Sequence, residues 1–371
     1  MAELPTFAFI IHPIDPKGDV ARKYPLLGRI LTEQQIDFLC AFWPPVYLSR
    51  IEGVRSRATG QEIAGYFVAA PYTPRRMMQL PVQAVYRKII QTGRLAERLG
   101  ARILGLGAFT SVVGDAGITI ARHLDIAVTT GDAYTVSIAT QAIREAGRQM
   151  GIEVSAATAA VVGATGSIGS ICSELLAHDV AKLVLIGRRP DALAALRERC
   201  EGRQASIAAT TDLSAIHEAD LILSVSSAVG AIIGPEHLKP GAVVCDVARP
   251  RDVSRAVAAR RDDVLVIEGG MVDVPGPVDF HFDFGFPPGK AYACMAETMA
   301  LALEGRFEDY TLGKHIQIER VREIEGIAAR HGFRLSGLRS FEREVTAEHI
   351  ARVQERAHVA RRTWSPRPAL G

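Results

Sequence analysis

No two of the five cysteines (Cys40, Cys172, Cys200, Cys245 and Cys294) stand in a CxxC spacing, and their number is odd. That argues against a disulfide framework or a zinc site, and fits free thiols in a reducing, cytoplasmic setting. No metal is expected. No apolar run reaches 18 residues, so no membrane span is expected. Met1 to Phe7 lacks a basic stretch ahead of an apolar core, so no signal peptide is read. No internal repeat occurs. An excess of one charge is missing too: 43 Lys+Arg against 41 Asp+Glu leave +2, which speaks against a dedicated nucleic-acid protein. What remains is an ordinary globular composition, 48% hydrophobic and 23% charged over 371 residues, long enough for two or three domains.

The most informative stretch is Val161-Val162-Gly163-Ala164-Thr165-Gly166-Ser167-Ile168-Gly169. The apolar run Ala156 to Val162 reads as a buried strand. Ser167 to Ala177 reads as a helix, with Ile168, Ile171 and Leu175 at helical spacing. Strand, glycine turn and helix form the context in which a dinucleotide fingerprint carries meaning. Gly163 allows the tight turn, Gly166 the approach of backbone to a pyrophosphate, and Gly169 close helix–strand packing. The helix start offers N–H groups to phosphate. A glycine turn in some other α/β sheet has the same pattern, but the next hundred or so residues of the chain narrow the choice. Lys182 to Ile186, Ala205 to Ala209, Asp220 to Ser226, Gly241 to Val247 and Val264 to Glu268 read as further strands, with helices at Asp191 to Cys200 and Leu213 to Glu218. This is an α/β chain with a central Rossmann-type doubly wound parallel sheet. The second strand ends in Arg188 and Arg189, where an NAD-selective fold places an acid, so a 2′-phosphate and hence NADPH are favoured. Capping of the strand is the plainer role for the two arginines. Ser226, at a strand end in small residues, is where a nicotinamide ribose could approach. The expected cofactor residues are therefore Gly163, Ala164, Thr165, Gly166, Ser167, Ile168, Gly169, Arg188, Arg189 and Ser226.

Before this sheet, Phe7 to His12, Tyr47 to Ile51 and Glu62 to Ala69 read as strands, and Val20 to Leu39 as helix interrupted near Pro25. Gln83 to Leu99 reads as a helix with a basic face: Arg87, Lys88, Arg94 and Arg98. A solvated face and a docking surface for an acidic partner both suit it. Arg102 to Ser111 reads as a strand, Ala127 to Thr135 as a short strand opening a helix, with Asp132 as N-cap for Thr135 to Met150. The ends of both segments carry glycine, hydroxyls and aromatics (Phe109, Thr110, Ser111; Gly131, Tyr134), a pattern of cleft lining and equally of capped loops. After the sheet, Asp273 to Gly289 reads as a long structured loop. Helices come next at Ala291 to Glu304, Ile316 to His331 and Glu342 to Arg362, then a flexible end at Trp364 to Pro368. The expected division is an N-terminal α/β substrate domain (1–130), a nucleotide-binding domain (131–290), and a C-terminal helical segment (291–371).

Cys294 falls in the first turn of the helix after Pro287-Pro288-Gly289-Lys290. Helix N–H groups and Lys290 would favour the thiolate, while a buried core cysteine suits the same pattern. Beside a nicotinamide domain, a thiolate could attack an acyl thioester, and hydride could release the acyl group as aldehyde. No acid is obvious. Among histidines, the usual proton donors, His281 comes first, then His315 and His12.

LGAFTS (106–111), TTGDAYT (129–135), AAVVGATGSIGS (159–170), IEGGMV (267–272) and AYACMAETMALALEG (291–305) together resemble the long-chain acyl-[acyl-carrier-protein] reductases of cyanobacterial type, in the family's order from about residue 7 to about residue 335. The resemblance implies NADPH-dependent formation of fatty aldehyde, with Cys294 as the acyl-accepting cysteine and Gly163, Gly166 and Gly169 in the NADPH loop. It implies acyl carrier protein, or acyl-CoA, as substrate carrier, with the 87–98 helix and Arg75-Arg76 as docking candidates and an aldehyde-consuming enzyme as a candidate partner. Two departures stand out: Asp132 where Asn is expected, and a tail beyond Gly337 that is longer than usual, with oligomerisation and partner docking as open roles. Two other classes compete. One is a shikimate-dehydrogenase-type NADP-dependent dehydrogenase of a small hydroxy acid, using a pair such as Lys88 and Asp132. The other is a nucleotide-sensing protein without turnover.

Overall fold

The structure is a computed structural model that describes residues 6–228 and 230–365; Pro366 to Pro368 of the expected flexible end lie outside the described residues. The chain groups into two compact units, Met1–Tyr134 with Val272–Arg334, and Thr135–Met271 with Leu335–Gly371.

The first unit is built on a five-stranded sheet of β1 (Thr6–Ile11), β2 (Val46–Arg55), β3 (Glu62–Ala69), β4 (Ile103–Leu106) and β5 (Ala127–Thr129), in the order β2-β3-β1-β4-β5. All pairs are parallel except β2 with β3. The central parallel strands are covered on both faces, which explains their near-continuous apolar sequences. On one face Leu104 and Leu106 join Val85 and Ile89 of the Val82–Arg98 helix in a buried cluster. On the other, a Cβ on Gly105 would run into Thr298, so the Ala293–Leu303 helix lies there, because neighbouring strand residues face opposite ways. Apart from Glu297 and Thr298 that helix is apolar, with every residue but Cys294 buried, as suits a helix enclosed by protein. This is why the cysteine helix belongs to the first unit. The expected region 291–371 is thus shared between the units: its first part returns to the N-terminal sheet, a closure that chain order does not reveal.

The long loop expected at 273–289 is indeed ordered. Glu52 and Asp279 exchange backbone hydrogen bonds (3.0 and 2.9 Å), and Arg55 N–H donates to Pro275 O at 3.0 Å, so the loop covers the β2 edge. Phe280 stacks on Phe67, ring centres 5.8 Å apart. The strand expected through Ser111 stops at Leu106, and Phe109–Val112 forms a helical turn.

The second unit holds six parallel strands: β6 (Thr158–Val162), β7 (Lys182–Ile186), β8 (Ser206–Thr210), β9 (Leu221–Ser224), β10 (Val243–Asp246) and β11 (Leu265–Glu268), in the order β11-β10-β9-β6-β7-β8. This is the doubly wound arrangement expected from sequence, with its reversal between β6 and β9. The Ala347–Arg361 helix of the long tail packs on this same unit: Arg361 Nε donates to Pro240 O (3.1 Å) and Gln354 Nε2 to Gln149 O (3.0 Å). Among the described residues no helix is long and apolar enough to cross a membrane.

One buried polar relay pins the β2–β3 hairpin of the first unit to the Ile318–His331 helix. His331 Nε2 meets Glu304 Oε2 at 2.7 Å, and its Nδ1 meets Ser56 Oγ at 2.8 Å. Ser56 Oγ also accepts from the N–H groups of Ala58 and Thr59. Ser56→Ala therefore strands a buried ring nitrogen and should cost about 1–3 kcal/mol, read as a lower urea midpoint of unfolding. An unchanged midpoint would remove the relay from the stability of this unit.

Candidate functional site

In the second unit the glycine turn is shaped by what a side chain would hit. Gly163 has φ +84°, a left-handed conformation that favours glycine. A Cβ there would lie 2.8 Å from Val225 O, and one on Gly169 would collide with the carbonyl of Gly163. The turn is held by Gly163 and Ala164 N–H groups donating to Ile186 O at 2.9 and 3.0 Å, and by Gly166 N–H donating to Gly163 O at 3.0 Å. Ser167–Leu176 then starts as a helix with Gly166 as N-cap and no side-chain cap. The N–H groups of this helix start, those of Ile168 and Gly169 among them, lie where a helix end suits an anion. Arg188 and Arg189 are exposed at the end of β7, and Arg189 Nη2 lies 3.4 Å from Thr165 O. Bare glycine backbone, a helix start and two guanidiniums fit a dinucleotide with a 2′-phosphate.

Ser226 is held from beneath by a residue the sequence did not single out. Asp252, fully buried, accepts from Ser226 N–H (2.9 Å), Ser226 Oγ (2.6 Å) and Ser224 Oγ (2.6 Å). Asp246 accepts from the N–H groups of Ala248 and Val253 at 3.1 and 3.0 Å, and burial pushes its carboxyl up to about 6 against the opposing charge of Arg249. The two carboxylates fix the loops after β9 and β10 at the carboxyl ends of the sheet, where ligands of such folds bind.

In the first unit the cysteine helix brings Cys294 to the turn after β5. Gly131 has φ +77°, and a Cβ on it would overlap Cα and Cβ of Cys294. The TTGD stretch and the cysteine, far apart in sequence, are thus in backbone contact. The expected N-cap Asp132 is itself the first residue of the Asp132–Gln149 helix and is buried. The expectation of a favoured thiolate is overturned. The Cys294 thiol is pushed up to about 12, chiefly by burial, then by the charges of Asp132 and Glu297, against the Met295 N–H. Lys290 does not offset this, because its ammonium pairs with Asp273 at 3.0 Å.

Glu297 was also missed. One helical turn after Cys294 and fully buried, its carboxylate accepts from Thr129 Oγ1, from Tyr134 N–H at 2.8 Å and from Thr311 Oγ1 at 2.9 Å, and from Gly131 N–H. Burial raises its pKa against those four bonds. The only sequence signal was an acid inside an otherwise apolar helix.

The structure does not bring the expected acid to the thiol. His281 is exposed and meets Glu52 and Asp279, each at 3.3 Å, at the β2 edge of the sheet. Gly131 follows β5 at the opposite edge, four strand spacings or roughly 19 Å away. His315 lies on the surface. His12 is buried, accepts the Phe109 N–H on Nε2 at 2.9 Å, and is pushed down to about 4 by burial, so it is neutral at pH 7. Among the expected substrate residues, Phe109 and Tyr134 are buried. Thr110 Oγ1 donates to Gly107 O (2.8 Å) and Ser111 Oγ to Ala108 O (2.7 Å), so their hydroxyls close the turn after β4. Lys88 Nζ donates to Trp43 O at 2.7 Å and lies 5.2 Å from the Tyr72 ring centre.

Residues 144–268 match the family model for shikimate/quinate 5-dehydrogenase. Over 367 residues the chain is 29% identical to the aminotransferase PigE of a Serratia species, covering 95% of this chain but 42% of that protein; it thus spans less than half of that relative. Over 350 residues it is 30% identical to the long-chain acyl-[acyl-carrier-protein] reductase of Synechococcus elongatus, covering 88% of this chain and 98% of the reductase. Shikimate 5-dehydrogenase of Listeria monocytogenes, solved with shikimate and NAD, covers 88% of this chain and 97% of its own at 10% identity, with a TM-score of 0.37.

A thiol that titrates near 12 instead of 9 has a thiolate fraction at pH 8 lower by a factor on the order of 10³, and reactivity follows that fraction. Alkylation of Cys294 by iodoacetamide should therefore climb tenfold per pH unit through pH 10 without levelling, as followed by peptide mass. A plateau near pH 9 would contradict a thiol held protonated by its surroundings.

Proposed function

The chain belongs to the family of the long-chain acyl-[acyl-carrier-protein] reductases, and from that premise we propose that it reduces a long-chain fatty acyl thioester to the aldehyde with NADPH, by way of an acyl group carried on Cys294. The observation that carries this reading is the seat of Cys294. It alone of the five thiols keeps partial exposure, and it stands at the start of a buried helix against a glycine turn that leaves no room for a side chain.

The chemistry divides in two. In the first half the Cys294 sulfur forms a bond to the acyl carbon while the carrier's carbon–sulfur bond breaks. The thiol loses a proton and the departing carrier thiolate gains one, so the exchange needs a proton shuttle and no net acid. Because Cys294 rests protonated, its proton leaves as the new bond forms, which keeps an unacylated thiolate from accumulating. For the second half the Gly163–Gly169 turn with Arg188 and Arg189 would hold NADPH, whose chemistry would supply the hydride that takes the thioester to aldehyde. The sulfur then leaves and takes up a proton. Surroundings that push the thiol up to about 12 return it in its resting form. Tyr134 and Phe109 serve this site as buried framework. The substrate carrier is an acyl carrier protein or coenzyme A. For the acidic carrier, Arg87, Arg94 and Arg98 offer a docking stripe: all three are exposed at spacings that share one helix face.

Two measurements test the reading. Incubated with acyl-carrier thioester and no NADPH, the native protein should gain the mass of one acyl group and Cys294→Ser none. A native protein without adduct, or an adduct that survives the substitution, refutes it. Replacing Arg188 and Arg189 by alanine removes charge-assisted contacts worth roughly 1.5–3 kcal/mol each, so KM for NADPH should rise tenfold or more while KM for NADH stays put. Equal changes for both cofactors would exclude a role for the pair in choosing the 2′-phosphate.

A further inference from the structure

We propose that Glu297 is a positioning residue for the nucleophile: its buried carboxylate gathers the end of β5, the start of the Asp132–Gln149 helix and the loop at Thr311 around Cys294. This role deepens the proposed function and rests on it for the catalytic consequence, though not for the structural one.

The geometry is specific. Glu297 lies three residues after Cys294, on the same side of the helix. Thr311 N–H donates to Thr129 Oγ1 at 3.2 Å, so the Thr129 hydroxyl has its own proton to give, and gives it to Glu297 Oε1. The Thr311 hydroxyl joins at the same oxygen, and Tyr134 N–H binds the other. Gly131 N–H completes the set. Two of these donors are backbone N–H groups on either side of Asp132, and one belongs to the residue whose backbone rests on Cys294. Drawing them to Glu297 presses Gly131 onto the cysteine. A buried carboxylate with this many donors from three segments is costly to leave half satisfied, so the turn has one stable place. The carboxylate has a second effect on its neighbour. Its charge opposes ionisation of the Cys294 thiol, so position and restraint come from the same group. These effects predict opposite outcomes when it is removed: chemical reactivity of the thiol should rise as its restraint is lifted, while acyl transfer falls as its seat loosens.

Two variants separate them. Glu297→Gln keeps the size and removes the charge. Thr311→Val keeps the charge and removes one donor. Expected for Glu297→Gln is faster iodoacetamide alkylation at pH 8, with the pH profile displaced downward, and acylation by acyl-carrier thioester at least tenfold slower. Expected for Thr311→Val is acylation about threefold to tenfold slower with the alkylation profile unmoved. The number of labelled cysteines reports integrity, since Cys40, Cys172, Cys200 and Cys245 are fully buried: one label means a closed fold. Should Glu297→Gln label at more than one, Thr311→Val decides. Native acylation rates in Thr311→Val, or alkylation and acylation moving in the same direction in a singly labelled Glu297→Gln, overturn the proposal. A native protein that accepts no acyl group would instead refute the proposed function, and the alkylation comparison, which needs no substrate, would still judge whether Glu297 restrains Cys294.

Discussion

Both units depend on the same constraint: backbone must come closer to backbone than a Cβ permits. In the first unit Gly131 lies on the Cα and Cβ of Cys294. In the second, Gly163 reaches the carbonyl of Val225 and Gly169 closes on Gly163. Each contact holds a strand end against a helix start or against the end of another strand, and each leaves no slack along the chain. A side chain at any of these positions would force apart the elements that define the local site, so their geometry is fixed by the absence of atoms more than by any attraction.

Attraction enters one layer down, through carboxylates that water does not reach. Glu297 in the first unit draws donors from a strand end, a helix start and a loop, and Asp252 in the second draws three from Ser224 and Ser226. Burying such groups is unfavourable unless every lone pair is used, and here the hydrogen bonds are numerous. The arrangement exchanges stability for definition: an apolar side chain would fill the same space but would impose no single position on a strand end, a helix start and a loop.

Much of this was legible in the sequence, and the limits are instructive. The glycine spacing, the order of strands around it and the two arginines after β7 are local patterns, and the doubly wound sheet follows from them. The link between TTGDAYT and the cysteine helix could be drawn only through resemblance, because nothing local says that residue 131 touches residue 294. Glu297 was invisible for a related reason. One acid in ACMAETMALAL resembles an exposed turn until the helix proves to be enclosed on all sides. The sign of the Cys294 shift was misjudged because a helix start and a nearby lysine are visible in sequence, whereas burial, the approach of Asp132 and the capture of Lys290 by Asp273 are not. His281 failed as the acid partner because sequence distance to Cys294 is short while the loop between them runs to the far edge of the sheet.

The resting state of the thiol has a consequence for how such a protein endures its surroundings. Peroxide, disulfides and adventitious electrophiles attack thiolates far faster than thiols. A cysteine whose proton is retained by burial and by the charges of Asp132 and Glu297 reacts more slowly with all of them, even though part of it remains open to solvent. The surroundings that make Cys294 a poor free nucleophile therefore also slow its oxidation.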